Sequence, residues 1–305
     1  MATKIWAYGL ACLGLLLLTG ADAPPERKPG PLIRLTRDGL EKERPSWAPD
    51  GRRLLFARHE SGGMQVWQYV LDTKAPGATP RRLTDRKEPE YNGAFSPDGT
   101  RILFAAITLS GTQGNLDVAA INADGSGLKT VFAGTEGLSH QDWPSWSPDG
   151  RRFAFSSTHE GNQEIYTAQT DGTGLIRLTN SPGIDAHPCW SHDGRTIALA
   201  TDRWGGLELA SVRPDGSGLV RLTRSRGLDD YPSYSPDGRR LAFVSNRDGQ
   251  FEVYVSASDG TGPVNVSNHP LRDTFPTWTP DGRGVTFVSD RDGECDIYTR
   301  RIEAD

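Results

Sequence analysis

The chain lacks an excess of positive charge, and this absence limits the ligands it can bind. Its 305 residues contain 34 Lys and Arg against 39 Asp and Glu, which makes the formal net charge −5. A nucleic-acid-binding protein needs a basic patch to neutralise the backbone phosphates. The sequence has no such basic stripe, so we exclude nucleic acid from the expected partners.

Cysteine is scarce as well, with three in the whole chain. Cys12 falls in an apolar N-terminal run, whereas Cys189 and Cys295 lie two repeats apart in the pattern described below. We expect the latter two thiols to be too distant to form a disulfide. Long runs of helical periodicity are missing beyond the N-terminus, and 35 Gly and 21 Pro predict dense turns instead.

The N-terminus has the layout of a secretory signal peptide. One early lysine precedes an apolar run from Ile5 to Leu18, which is too short to span a bilayer comfortably, and small residues follow it. We therefore predict a signal peptide over residues 1–23, with cleavage after Ala21 or Ala23, and a Pro-rich linker over 24–31. The protein would then be periplasmic or secreted without a stable membrane span. An uncleaved N-terminal membrane tether is the alternative.

A seven-residue motif recurs six times in the remainder of the chain. It reads PSWSPDG at 144–150 and returns with small changes near 45, 93, 188, 232 and 276. Successive turn aspartates are 48, 51, 44, 44 and 44 residues apart. These aspartates are Asp50, Asp98, Asp149, Asp193, Asp237 and Asp281. A period in the forties with strand-like content is typical of a β-propeller or a solenoid.

Each repeat contains four short strand patterns, except the last, which ends after the third. The missing strand is found at the other end of the chain, where LIRLT at 32–36 matches LIRLT at 175–179. We predict an all-β, six-bladed propeller over residues 32–305, with four antiparallel strands per blade. The N-terminal strand completes the last blade, which leaves no open sheet edge in the ring.

The aromatic residue of the motif is predicted to be structural. It recurs once per blade on the first strand, where a large ring packs between neighbouring sheets. These residues are Trp47, Phe95, Trp146, Trp190, Tyr234 and Trp278. The Pro-Asp-Gly that follows is predicted to form a hairpin turn.

The string PSWSPDGRRFAFSS, followed by EIY, DGTG and RLT, resembles the WD40-like repeat of TolB-type six-bladed β-propellers. The resemblance covers residues 32–305, and it implies the propeller fold and a periplasmic protein of Gram-negative bacteria. Related blades also occur in peptidases and lyases, so the fold does not decide the function. The chain has no Gly-x-Ser-x-Gly nucleophile elbow.

The position just before the motif differs in every repeat, unlike the uniform turn. Polar and aromatic residues occupy it, and in a propeller this position lines one mouth of the central channel. The six residues are Arg44, Asn92, Trp143, His187, Tyr231 and Phe275. We predict that they form one binding surface together with the neighbouring Asp142 and Asp230, for a protein, a peptide or a small ligand such as a saccharide. The expected protein is a monomeric, exported, non-enzymatic binding module without a cofactor.

An enzymatic alternative remains open. His140, His187 and Asp185 come from adjacent repeats, and together they are similar in kind to the metal site of oligogalacturonate lyases. If they bound a metal ion, the chain would be a metal-dependent polysaccharide lyase or hydrolase acting at the channel mouth. No local metal-binding motif supports this set.

Overall fold

The structure is a computed structural model, and it describes residues 30–60, 66–75, 78–110, 113–134, 139–293 and 295–302. The predicted signal peptide and most of the predicted linker lie outside these residues. Within them the chain forms six four-stranded antiparallel sheets. The first strands of neighbouring sheets contact one another in a closed cycle, so the sheets are the blades of a ring. The predicted six-bladed propeller is confirmed.

The four strands of each blade occupy four successive positions from the axis outward. The innermost strands are β2 (Lys42–Trp47), β6 (Glu90–Phe95), β10 (Gln141–Trp146), β14 (Asp185–Trp190), β18 (Asp229–Tyr234) and β22 (Asp273–Trp278). The second strands are β3 (Arg53–His59), β7 (Arg101–Ser110), β11 (Arg152–Ser157), β15 (Ile197–Thr201), β19 (Arg240–Ser245) and β23 (Gly284–Ser289). The third strands are β4 (Val66–Asp72), β8 (Gln113–Asn122), β12 (Glu164–Gln169), β16 (Glu208–Val212), β20 (Glu252–Ala257) and β24 (Asp296–Arg301). The outermost strands are β1 (Leu32–Arg34), β5 (Arg81–Arg82), β9 (Lys129–Phe132), β13 (Ile176–Arg177), β17 (Val220–Arg221) and β21 (Val264–Asn265).

The N-terminal strand closes the ring, as predicted. We number the blades one to six in the chain order of their innermost strands. In blade six, β1 pairs antiparallel with β24, and Ile33 lies opposite Thr299. Side chains reinforce this pairing, because the Thr36 hydroxyl donates a hydrogen bond of 2.5 Å to the buried carboxylate of Asp296. Lys42 of blade one binds the same carboxylate at 3.2 Å, which ties the first blade to the last.

The motif aromatics pack between blades. Trp146 is buried, and its indole N–H donates to the carbonyl of Ala94 in the preceding blade at 3.0 Å. Arg101, also from the preceding blade, places its guanidinium 5.0 Å from the same ring. Trp278 repeats the arrangement with the Ser233 carbonyl at 3.0 Å. The apolar core is thus a series of interblade clusters around the ring.

The Pro-Asp-Gly segments are tight hairpin turns, as predicted. In blade three the Gly150 N–H donates to the Ser147 carbonyl at 2.9 Å, and Gly150 has φ of 66°, a conformation that favours glycine. The Asp149 carboxylate accepts bonds from the Ser147 hydroxyl at 2.6 Å and from the Arg151 N–H at 3.0 Å. These turns lie on one face of the ring, here called the turn face. The opposite face, where the innermost strands begin, is the entry face.

Cys189 and Cys295 are both free cysteines and form no disulfide with one another. In the part of the chain that the structure describes, no helix is long and apolar enough to cross a membrane.

Candidate functional site

Every innermost strand has a β-bulge at its third residue. In β10, Asp142 pairs with Ser156 and Ser145 pairs with Ala154. An advance of three residues along β10 therefore corresponds to an advance of only two along β11. The same shift occurs in all six blades. The bulge residues are the six that the sequence predicts for the channel mouth: Arg44, Asn92, Trp143, His187, Tyr231 and Phe275. Each has φ between 41° and 57°, which is rare for bulky residues, and such bulges re-aim side chains.

The six bulge side chains meet on the propeller axis, where they form what we call the axial cluster. The Trp143 ring lies 4.7 Å from His187 and 5.0 Å from Tyr231, measured between ring centroids. It also lies 5.9 Å from Phe275, which belongs to the opposite blade, so this contact crosses the axis. Tyr231 stacks on His187 at 4.4 Å and meets Phe275 edge-on at 4.8 Å. Rings from four distant parts of the sequence are therefore in contact.

The axial cluster fills the channel instead of lining an open cavity. Trp143 and Asn92 are only 7 % and 5 % exposed, so they form the buried part of the cluster. His187, Tyr231, Phe275 and Arg44 are half-buried. The cluster is thus a floor at the entry face, and a ligand would contact its exposed edges.

Arg44 locks the cluster to the backbone. Its guanidinium donates to the carbonyl oxygens of Asn92 and Pro144, each at 2.7 Å, and lies 4.4 Å from the Trp143 ring centroid. Burial lowers the pKa of Arg44 to about 10, although the nearby Asp142 opposes that shift. Arg44 stays charged at neutral pH, and its charge is spread over carbonyl dipoles and an aromatic face.

Three carboxylates surround the axial cluster on its entry side, and we call them the carboxylate rim: Glu43, Asp142 and Asp230. Each is the second residue of an innermost strand, directly before a bulge residue, in blades one, three and five. The same position holds Tyr91, Ala186 and Thr274 in the other three blades. Acidic and neutral residues therefore alternate around the axis.

The rim carboxylates are positioned by the cluster below them. Asp142 accepts bonds from the Asn92 side chain at 2.8 Å and from the backbone N–H of Trp143 at 2.6 Å. Asp230 accepts in the same way from the His187 ring nitrogen at 2.5 Å and from the Tyr231 N–H at 2.7 Å. In each case one carboxylate oxygen is used for both bonds. Within the described ranges, the second oxygen of each carboxylate accepts no hydrogen bond from the protein.

The rim carboxylates also interact with neighbouring titratable side chains. Glu43 bonds the His59 ring at 2.9 Å, but burial, together with the charges of Glu41 and Asp142, raises the pKa of Glu43 above its ordinary value. Burial raises the pKa of Tyr231 strongly, and the three rim carboxylates add to that rise. The rim thus places three carboxyl groups beside an aromatic floor.

Other carboxylates near the entry face have structural roles. Asp185, Asp229 and Asp273 begin their innermost strands, and all three are fully buried. Each bonds an arginine from the loop between the second and third strands of its own blade: Arg203, Arg247 and Arg291. Breaking such a buried pair on one side is strongly destabilising, because it leaves a buried charge unpaired.

The structure does not bring the predicted metal ligands together. His140 is exposed before β10, and His187 bonds Asp230 in the axial cluster. Asp185 is buried against Arg203. Across the described ranges, no group of three or more His, Cys, Asp or Glu side chains could hold a metal ion.

Sequence-based prediction did not single out Glu43 or Tyr91 as site residues. A signal for Glu43 was nevertheless present, since an acidic residue stands two positions before the motif proline at Glu43, Asp142 and Asp230 alike. The alternation around the axis becomes visible only when the repeats are placed in a ring.

These features define a class of protein, a six-bladed propeller with a filled axis and an acidic mouth. The family model of the TolB beta propeller domain matches residues 77–231 and 217–305. The chain belongs to this family.

Two curated relatives show how far the sequence similarity extends. An uncharacterized protein of Agrobacterium fabrum is 30 % identical over 126 residues, which is 40 % of this chain and 42 % of that protein. The Tol-Pal system protein TolB of Anaeromyxobacter dehalogenans is 34 % identical over 88 residues, which is 28 % of this chain and 18 % of that protein. The chain thus matches less than half the length of either relative.

Solved structures share the fold over most of the chain. A protein assigned as TolB from Agrobacterium tumefaciens superposes with a TM-score of 0.67 at 22 % identity, covering 90 % of this chain and 97 % of that one. The oligogalacturonate lyase of Vibrio parahaemolyticus superposes with a TM-score of 0.60 at 15 % identity, covering 89 % and 93 %. At these identities the likeness shows the fold alone.

Proposed function

We propose that this protein is an exported, non-enzymatic binding module that holds a basic group of a protein or peptide partner at its entry face. The observation that carries the proposal is the carboxylate rim above the axial cluster. Carboxylates attract an ammonium or guanidinium group, and the face of an aromatic ring favours a cation above it. A lysine, an arginine or a peptide N-terminus fits this combination.

The family supports a protein partner over a small molecule. Several relatives are named Tol-Pal system protein TolB, and that name places them in a system of several proteins. The signal-like N-terminus of this chain agrees with export. A filled axis also favours a partner that rests on the entry face over a ligand that enters the channel.

Titration calorimetry with short peptides tests this proposal. A peptide with two arginines should bind, and the same peptide with citrulline in their place should not. Asp142→Asn and Asp230→Asn should each weaken binding about tenfold, since a charge-assisted hydrogen bond contributes roughly 1.5–3 kcal/mol.

Asp149→Asn is the matched control, because this carboxylate lies in the turn that follows the same strand, on the turn face. It should leave binding unchanged. Equal binding of the arginine and citrulline peptides, or full binding by Asp142→Asn and Asp230→Asn, would refute a basic ligand at the rim.

A metal-dependent polysaccharide lyase or hydrolase is the second candidate function. Its support is the fold shared with oligogalacturonate lyases, one of them solved in complex with manganese. Metal analysis of the purified protein, together with an assay for uronate release from pectic oligosaccharides, separates it from the binding module. A stoichiometric metal lost in His187→Ala, with turnover lost in parallel, would favour the enzyme.

A further inference from the structure

Blade four departs from the repeat at two positions that lie close together on the outer part of the entry face. The first is a pair of residues that lie opposite each other on the third and the outermost strands. In blades three and six this pair is Tyr166 with Arg177 and Tyr298 with Arg34. In blade four it is Ala210 with Arg221. The arginine is kept, but the large ring beside it is absent.

The second departure lies in the loop between the second and third strands. In blade three Glu160 of this loop bonds Arg177 at 2.6 Å, and in blade six Asp292 bonds Arg34 at 2.9 Å. The corresponding residue of blade four is Trp204. Its ring lies 4.8 Å from the Arg221 guanidinium and is 37 % exposed. A carboxylate has thus been replaced by an accessible indole.

These changes border a groove between blades four and five, which we call the blade-four groove. Its volume is about 480 Å³, and its walls include Trp204, Gly206, Arg221, Arg226, Asn246 and Arg247. Gly206 faces open space, since a Cβ added there would meet no atom within 4 Å. The groove is of the size that a small organic ligand occupies.

The groove has more hydrogen-bond donors than its own acceptors satisfy. Arg221 binds Glu208 through Nε and Nη2, each at 2.6 Å, and Arg247 binds Asp229 through Nη2 at 2.9 and 3.1 Å. Among the residues that the structure describes, the Nη1 groups of both arginines donate no hydrogen bond, and the exposed Arg226 has no carboxylate partner. Unused guanidinium donors therefore surround an exposed tryptophan.

We propose that the blade-four groove binds an organic anion in which a carboxylate or phosphate is joined to a flat ring. The ring stacks on Trp204, and the oxyanion accepts hydrogen bonds from Arg226 and from the free edges of Arg221 and Arg247. Guanidinium groups match both oxyanions in geometry, and an indole offers a broad apolar face. This site is separate from the carboxylate rim, and its charge preference is the opposite.

Calorimetric titration with four probes tests the proposal: benzoate, phenyl phosphate, the neutral benzyl alcohol and inorganic phosphate. At least one ring anion should bind, and the one that does identifies the oxyanion. Benzyl alcohol and inorganic phosphate should each bind at least about tenfold more weakly, because each lacks one of the two recognised groups. Trp204→Ala and Arg226→Gln should weaken binding by a similar factor.

Three further variants make the result specific. Arg224→Gln removes an exposed arginine that does not line the groove, and it should bind like wild type. Gly206→Leu places a side chain into the open space, and it should abolish binding while the melting temperature is unchanged. Asp142→Asn should have no effect, which separates this site from the entry-face proposal. Wild-type binding by Arg226→Gln, equal binding of benzyl alcohol, or no binding of either anion at about 10 mM would overturn the proposal.

Discussion

At the scale of single residues, the six bulge positions explain why the channel is filled. Left-handed backbone conformations in bulky residues cost about 1–3 kcal/mol each and persist only where the surroundings compensate for them. Here the compensation is visible in the ring contacts of Trp143 and in the two carbonyl bonds of Arg44. Clusters of such strained residues are typical of binding sites.

This strain leads to a prediction about Trp143. In ordinary strands glycine is less stable than alanine by roughly 0.5–1 kcal/mol, but at a positive φ the order should reverse. Trp143→Gly should therefore unfold at a higher denaturant concentration than Trp143→Ala. Both variants should lose about 3 kcal/mol relative to wild type, because Trp143 is buried.

Trp146 is the matched control in the same strand, since it is equally buried and its φ is not positive. Trp146→Gly should be less stable than Trp146→Ala. If Trp143 and Trp146 show the same order of glycine and alanine, the left-handed bulge is not present in solution.

At the scale of elements, the hairpin turns use a carboxylate as a hydrogen-bond acceptor. The Ser147 hydroxyl and the Arg151 N–H lower the pKa of Asp149, and the same arrangement lowers the pKa of Asp98 to about 2. A group with a lowered folded pKa stabilises the fold above its unfolded pKa of about 3.9, and that stability is lost as the pH falls towards the folded pKa. The turns should therefore weaken in acid.

The corresponding prediction compares Asp149→Asn with wild type across pH. The variant should be less stable than wild type at pH 7, and the difference in the free energy of unfolding should shrink between about pH 5 and pH 2. Asp85→Asn is the control, because Asp85 is exposed and has no hydrogen bond to its side chain among the contacts described. Equal pH profiles for Asp149→Asn and Asp85→Asn would contradict this role of the turn.

The closing strand allows a second prediction for an element. A chain that begins at residue 38 lacks β1, so it leaves the β24 edge open and Asp296 without Thr36 and Arg34. It should aggregate or lose cooperative unfolding, because an unpaired edge strand is a template for association. A chain that begins at residue 30 should melt like the full chain. Identical melting of both truncations would show that β1 does not close the ring.

At the scale of the whole molecule, the sequence alone was sufficient to predict the architecture. The 44-residue spacing, the turn residues and the LIRLT match at 32–36 predict the six blades and their closure, since each depends on local patterns that repeat. The outermost strands are shorter than the other strands of each blade, and Val264–Asn265 has only two residues. There the chain turns away after two residues, and the Ser267 hydroxyl instead bonds the Glu252 carboxylate.

The sequence predicted which residues make up the axial cluster, but it did not predict their backbone conformation or their packing. The variable position before the motif identified the six residues that converge, yet nothing in a bulky residue such as Trp143 indicates a left-handed backbone. The filling of the axis by Trp143 and Phe275 depends on side-chain volumes from opposite blades. The blade-four groove depends on the absence of a large ring at Ala210. That absence becomes evident only when blade four is compared with blades that have tyrosine at this position.

The central claim is that the carboxylate rim and the axial cluster together receive a basic group. The most direct test is a crystal structure of the protein with a bound arginine-containing peptide. Our account predicts a guanidinium on the entry face, within hydrogen-bond distance of Asp142 or Asp230 and in contact with the ring of Tyr231. A peptide bound at an outer blade edge or on the turn face, with the rim carboxylates in contact with water alone, would contradict it.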